Sequence, residues 1–194
     1  MQKLIHSMNQ LVNLNSQDIE IVKDLFKKKK MCKGELFLKE GAVCGYLGFV
    51  HKGLLRHFIN DDGEDVTYSF SMENDYVCDY ESFISRLPSP KNIVAMENVS
   101  LCVISYQDLQ TFYETTMSGE RFGRLLLERI FSKAINHIIS THTHNAEQRY
   151  LNFLSSFPDI GQRVPQYYIA SFIGVKPPSL SRIRKKYAAG NLLT

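Results

Sequence analysis

Between Lys33 and Ser105 glycines cut the sequence into short apolar runs, and no other feature narrows the possible fold so far. "ELFLK", "YLGFVH", "LLRHFIN", "VTYSFS" and "SLCVIS" alternate with turn signals at Lys33-Gly34, Glu40-Gly41, Lys52-Gly53 and Asp61-Asp62-Gly63. Runs of this kind, bounded by Gly and Asp, are β-hairpin sequence. Six of the eleven glycines, at 34, 41, 45, 48, 53 and 63, fall in this stretch, so the strands are many and short. Such strands close into a barrel or a double-sheet roll, and either solution protects the sheet edges.

Helical spacing flanks this region. "SQDIEIVKDLFKKKK" repeats apolar residues at Ile19, Val22, Leu25 and Phe26, which predicts a helix with Ser16 as N-cap and Lys27 to Lys30 at its C-terminus. Cations there are favoured by the helix dipole and sit in water. A second, long helix is predicted from Gly119 to Thr141, carrying Phe122, Leu125, Leu126, Leu127, Ile130, Phe131, Ala134, Ile135, Ile138 and Ile139. A helix packed on one surface needs an apolar stripe of roughly 100°. This stripe is wider, which points to a second contact, most simply with another copy of the same helix.

Beyond it, "STHTHNAEQ" is polar and reads as a hinge or as continued helix. "RYLNFLSSF" resumes helical spacing and Pro158 stops it. "QYYIASFIG" then predicts a short helix closed by Gly174, and "VKPPSLSRIRKK" places Pro177 and Pro178 in the first turn of another. Proline suits that turn because its missing N–H has no intrahelical acceptor anyway and its φ is already helical. Leu180, Ile183 and Tyr187 recur at helical spacing and are expected to face inward, leaving Ser179, Ser181, Arg182, Lys185 and Lys186 outside. Two short helices joined across a glycine turn, the second basic on its outer face, form a helix-turn-helix of the kind that enters the DNA major groove.

Charge distribution agrees with that reading. From Arg149 onward the chain holds seven Lys and Arg against one Asp, a net +6, whereas the preceding residues carry −3. Such asymmetry directs the C-terminal part towards a polyanion. Nothing approaches the ~18 continuous apolar residues of a membrane helix, and the N-terminus lacks the h-region of a secretion signal, so the expected location is the cytoplasm. Cys32, Cys44, Cys78 and Cys102 are scattered without a C-x-x-C pair and are expected to be free thiols. His142 and His144, two apart, point ~200° apart on a helix and cannot grip one ion. No phosphate-binding loop, nucleophile elbow or H-E-x-x-H pair occurs, so neither an enzyme nor a metal or cofactor site is expected.

Taken together, "CKGELFLKEG", "GFVHKGLLR", the long helix and "QRVPQYYIASFIGVKPPSLSRIRKK" resemble the Crp/Fnr superfamily of transcription regulators across nearly the whole chain. The resemblance implies a β-roll sensor, a dimerising helix and a helix-turn-helix. In cyclic-AMP-binding members a Gly-Glu pair holds the ribose, and an Arg followed by Ser or Thr holds the phosphate. Here Cys78-Asp79 stands at the first place and Ser89-Pro90 near the second, so the phosphate lacks its fixed counterpart. Lys91 is the available substitute, without the planar fork of Arg.

The expectation is therefore an α+β protein. It has an N-terminal double-stranded β-helix, a jelly-roll or cupin-like sensor, over residues 1–118. A dimerisation helix and hinge follow over 119–145, and a winged-helix-like helix-turn-helix domain over 146–194. Its expected partners are double-stranded DNA, a second copy, RNA polymerase and a small-molecule effector other than cyclic AMP. Gln166, Lys176, Ser179, Ser181, Arg182, Lys185 and Lys186 are the expected DNA contacts. Asp79, Tyr80, Glu81, Ser82 and Lys91 would line an effector pocket, and Leu127, Phe131, Ile135 and Ile138 the dimer seam. The alternative is a cupin-like binding protein that does not touch DNA.

Overall fold

A computed structural model describes residues 1–190 of the 194, so the last four residues of the expected 146–194 domain lie outside the described residues. The chain packs as two compact units, one of Met1–His57 with Phe70–Phe131 and one of Phe58–Ser69 with Ser132–Thr194.

In chain order, α1 (Gln2–Asn9) and α2 (Ser16–Leu25) precede the strands β1 (Lys27–Met31), β2 (Leu36–Leu38), β3 (Tyr46–Lys52), β4 (Leu55–Asp61), β5 (Glu64–Ser71) and β6 (Tyr76–Val77). The helix α3 (Tyr80–Ser85), strands β7 (Asn92–Ala95) and β8 (Val99–Ser105) and helix α4 (Tyr106–Thr115) follow. The strands form two four-stranded sheets, ordered β1-β8-β3-β6 and β2-β7-β4-β5. Both contribute to one core: Phe49, Val50, Leu101 and Ile104 from the first join Leu38, Leu55, Ile93 and Ala95 from the second. The Asp61-Asp62-Gly63 turn between β4 and β5 has positive φ at Asp62 and Gly63, the conformation that residue pairs of this kind adopt in tight hairpins.

Two expectations about the first helices are corrected. The cap of α2 is Asn15, not Ser16: Asn15 Oδ1 accepts from the Asp18 N–H at 2.8 Å, and the Asp18 carboxylate accepts from the Asn15 N–H, a reciprocal capping box. The lysine run is not a helix end. Phe26 turns extended and buries its ring, and Lys27–Met31 pairs antiparallel with Val99–Val103 as an outer strand of its sheet. Lysines on an edge strand deter pairing with another chain, a use of charge that helical spacing cannot distinguish from a solvated helix end.

The helix α5 (Gly119–Thr143) runs two residues beyond the expected end. Its first turns bury Phe122, Gly123 and Leu126, and from Glu128 to Ile139 every residue is exposed. The polar stretch is thus mostly helix, broken at His144 and Asn145, where Asn145 and Gln148 form a capping box that starts α6 (Ala146–Ser156). The second unit continues with α7 (Ile160–Arg163), α8 (Gln166–Phe172) and α9 (Pro177–Ala188), around Tyr150, Phe153, Ile160, Ile169, Ala170, Ile173, Leu180 and Ile183.

Candidate functional site

Two places gather the residues singled out from the sequence. The first lies at the start of α3. Asp79, with a side chain 3% exposed, is the hub: its Oδ2 accepts from the Ser89 hydroxyl at 2.7 Å and its Oδ1 from Lys91 Nζ at 2.6 Å. The Lys91 N–H donates in turn to Ser89 Oγ at 3.0 Å. Burying a carboxylate is costly unless it is paired and hydrogen-bonded, and here both oxygens have partners. Lys91 also approaches exposed Glu81 at 3.8 Å. Ser82 Oγ accepts from the Cys44 N–H at 3.0 Å and donates to the Leu87 carbonyl at 2.6 Å, so it fastens the loops on either side of α3.

Beside this cluster His57 shares a hydrogen bond with Ser71 Oγ at 2.9 Å. Burial pulls the imidazole down to about 4, with the Asp79 charge opposing and Lys91 assisting, so His57 is neutral at pH 7. Tyr80 lines a different surface. Together with Tyr113, Arg124, Leu127 and Phe131 it lines a groove of about 550 Å³ along α5, which brings one residue of the expected effector segment next to two of the expected dimer seam. Within the seam, Phe131 is 68% and Ile138 52% exposed, Ile135 is exposed and Leu127 half-buried.

The second place is the pair α8–α9. Gly174, at φ +70°, ends the first helix, and Lys176 caps the second with Pro177 and Pro178 in its first turn, as the sequence implies. Leu180 and Ile183 are buried. Tyr187 is not: it is 43% exposed, its ring resting edge-on against Tyr150 at 6.0 Å. At 100° per residue Tyr187 falls between Leu180 and Ile183 on the inward stripe, but it stands in the last turn of α9, where its large ring is covered only in part. Lys176, Ser181, Arg182, Lys185 and Lys186 are exposed, and Ser179 is half-buried on the flank.

Gln166 differs from that exposed set. Its Nε2 donates to the Gly161 carbonyl at 3.2 Å, and its Oε1 is buried with no hydrogen-bond partner among the described residues. It lines a shallow groove of about 330 Å³ with Pro177, Ser181, Arg184 and Lys185. Lys186 pairs with Glu147 at 2.5 Å, whereas Arg182, Arg184 and Lys185 form no ion pair among the described residues. Arg149 holds the unit in register: its Nε donates to the Ile173 carbonyl at 2.8 Å, in the turn, and its Nη1 to the His144 carbonyl at 2.7 Å, at the end of α5. The hydroxyl of Ser171 in α8 accepts from the Thr67 N–H at 2.9 Å and donates to the Asp65 carbonyl at 3.3 Å, on β5.

Reasoning from sequence missed Ser89 as a partner of Asp79, the His57–Ser71 pair, and Arg184 in the α8–α9 groove. The proximity of Asp79 and Ser89 was half visible, since the resemblance placed both at ligand positions. The His57–Ser71 contact depends on which strands are neighbours, and nothing in the sequence states that.

Residues 28–116 match the family description of the cyclic nucleotide-binding domain. A search of curated proteins finds no match for the sequence. Solved structures are similar over most of the chain. FixK2 from Bradyrhizobium japonicum superposes with a TM-score of 0.73 at 16% identity, covering 85% of this chain and 86% of that one. The catabolite activator protein of Thermus thermophilus gives 0.58 at 16% identity over 93% and 86%, respectively. A protein from Eubacterium rectale described as a transcriptional regulator of the crp/fnr family gives 0.68 at 19% identity over 91% and 85%. The chain therefore has the fold of these three structures, with a cyclic nucleotide-binding-type domain at residues 28–116.

Proposed function

We propose that this protein is a transcription regulator of the Crp/Fnr type that binds duplex DNA as a dimer through α8 and α9. Residues 1–118 act as the sensor, a jelly-roll-type module, 119–145 as dimer helix and hinge, and 146–194 as the DNA-binding domain. One observation carries the reading: α9 buries Leu180 and Ile183 and exposes Arg182, Arg184 and Lys185 directly after a glycine turn. At 100° per residue Pro178, Arg182 and Lys185 occupy the centre of the outward face. Arg pairs bidentately with guanine O6 and N7, so Arg182 reads a base while Lys176 and Lys186 neutralise phosphates. A second copy supplies the other half-site. Leu127, Phe131, Ile135 and Ile138 recur at spacings of four, four and three, an apolar stripe suited to a two-helix seam, and α5 leaves Phe131, Ile135 and Ile138 exposed.

The effector is not cyclic AMP. Lys91, the cation available for a phosphate, is held by Asp79 at 2.6 Å, and an incoming phosphate would meet a buried carboxylate instead of a free cation. The protein acts in the cytoplasm, and no described helix is long and apolar enough to cross a membrane.

The deciding experiment is duplex binding by the full chain, selected from a random-sequence pool and titrated at several salt concentrations. The expected result is a two-fold symmetric site whose affinity falls steeply with salt, as phosphate neutralisation requires. Absence of any salt-dependent duplex binding would leave the cupin-like alternative, a small-molecule or partner binder.

A further inference from the structure

The two cysteines that flank the Asp79 cluster stand apart from everything the proposed function uses. Cys44 lies in the loop before β3 and Cys78 directly after β6, thirty-four positions apart in the chain, yet their sulfurs are 3.8 Å apart in thiol–thiol contact. Cys44 is buried and Cys78 partly exposed, so the pair is reached from the Cys78 side. Cys32 is exposed and Cys102 buried, and neither is paired with another thiol among the described residues.

From this juxtaposition we propose that Cys44 and Cys78 form a reversible dithiol–disulfide site whose oxidant is a hydroperoxide. Contact between the two sulfurs supplies the proximity that disulfide formation needs, with the attacking and resolving thiols both in place. The environment distinguishes their roles. The hydrogen bond shared with the Cys78 thiol, opposed by burial and helped by the Asp79 backbone N–H, lowers Cys44 to about 7. The same shared proton, together with burial, pushes Cys78 up. In this scheme Cys44, the thiol more readily deprotonated, is the attacking sulfur and Cys78 the resolving one.

In the first step the Cys44 sulfur attacks one peroxide oxygen. The O–O bond breaks, Cys44 becomes a sulfenic acid, and the departing hydroxide takes up a proton to leave as water. In the second step the Cys78 sulfur attacks the Cys44 sulfur, the S–O bond breaks, and the hydroxyl leaves as a second water with the Cys78 proton. The two thiols lose two electrons, which the peroxide gains. Reduction by a dithiol reverses the bond.

Bond formation brings the sulfurs to about 2.05 Å, closing about 1.8 Å between the loop before β3 and the residue that precedes Asp79. Cys44 is tied to α3 and its C-terminal end by two hydrogen bonds: its N–H donates to Ser82 Oγ at 3.0 Å and its carbonyl accepts from Arg86 Nη1 at 3.0 Å. The oxidation state of the pair is thereby transmitted to α3. This site depends on the roll alone and not on DNA binding, so failure of either proposal leaves the other standing.

The test is titration of the reduced full-length protein with equimolar hydrogen peroxide. Free thiols are then blocked under denaturing conditions and the protein is mapped by peptide mass spectrometry. The expected result is one Cys44–Cys78 cross-linked peptide, reduced again by dithiothreitol, with reactive thiols falling from four to two. The Cys32→Ser, Cys102→Ala double variant should form the same cross-link, its reactive thiols falling from two to none. In Cys78→Ser the cross-link is lost and a dimedone adduct accumulates on Cys44. Circular dichroism of each variant checks folding, and the wild-type map stands without them. The proposal is overturned if peroxide leaves all four thiols reactive, links Cys32 between chains instead, or takes Cys44 to the sulfinic acid without joining it to Cys78.

Discussion

The interior of the roll and the outward faces of α5 and α9 handle awkward side chains in opposite ways. Around Asp79 every charge is compensated within the chain: the carboxylate is held by Ser89 and Lys91, and His57 avoids charge altogether. Along α5 and α9 the chain leaves Phe131, Ile138, Arg182 and Lys185 facing outward. Groups satisfied internally explain stability, and groups left outside point to what the molecule meets. A cyclic phosphate would have to disrupt the first region, whereas a second copy and a duplex would complete the other.

The largest effect is expected where two copies meet. Replacing Ile135 and Ile138 with Glu places four carboxylates near the two-fold axis, and burying unpaired charges costs several kcal/mol each. Dimer affinity should fall by at least about a thousandfold, some 4 kcal/mol, and sedimentation should show monomers with the native circular dichroism spectrum. A folded variant that remains dimeric would place the seam elsewhere and undo the contrast drawn above.

Next comes the roll. Lys91→Met leaves Asp79 buried with only Ser89 for a partner, and removing one member of a buried pair costs about 3–5 kcal/mol. Urea unfolding should register that loss, and adding Asp79→Asn should recover much of it, since the second change removes the orphaned charge. A single variant as stable as the wild type would mean that the Asp79 charge is not compensated by Lys91.

His57 tests the same interior through pH. Its folded-state value, about 4, lies below the ordinary imidazole value of 6.5, so the unfolded chain binds the proton more readily. Its contribution is complete above about pH 6.5 and is lost as pH falls through 4, a total of about 3 kcal/mol. His57→Gln should flatten the stability profile between pH 7 and 4 by that amount, whatever it costs at neutral pH. An unchanged slope would assign acid sensitivity to the carboxylates.

How far the sequence revealed these two regions differs for a physical reason. The α8–α9 pair was legible because its signals are local: Gly174 at the turn, proline in a first turn, apolar residues three apart. Tyr187 misled because periodicity fixes direction but not whether a ring in the last turn of a helix is covered. The strands around Gly34 to Gly63 were legible for the same reason, while β1, β6 and β7 were not. β1 is a run of lysines and β6 only two residues long, and both are strands through pairing with distant partners. The Asp79 cluster is likewise assembled from non-local contacts, so the sequence named Asp79 and Lys91 without showing that Ser89 joins them or that Lys91 is already engaged.

The smallest effects separate two cations on one helix. Arg182 stands at the centre of the outward face of α9 without an ion pair among the described residues, whereas Lys186 sits on its flank, joined to Glu147. Arg182→Ala should cost about 1–3 kcal/mol on the selected duplex and little on a scrambled one, because a lost bidentate contact to guanine is felt only where that guanine is present. Lys186→Ala should weaken both duplexes alike and reduce the salt slope by about one, the mark of a phosphate contact. Its effect on stability should stay within about 1 kcal/mol, since the pair with Glu147 is largely solvated. The measurement is a binding titration of each variant on both duplexes across a salt series. Should Arg182→Ala lower both affinities equally, base reading falls to Ser181 and Lys185 along the same face, and the outward cations of α9 would serve affinity without selectivity.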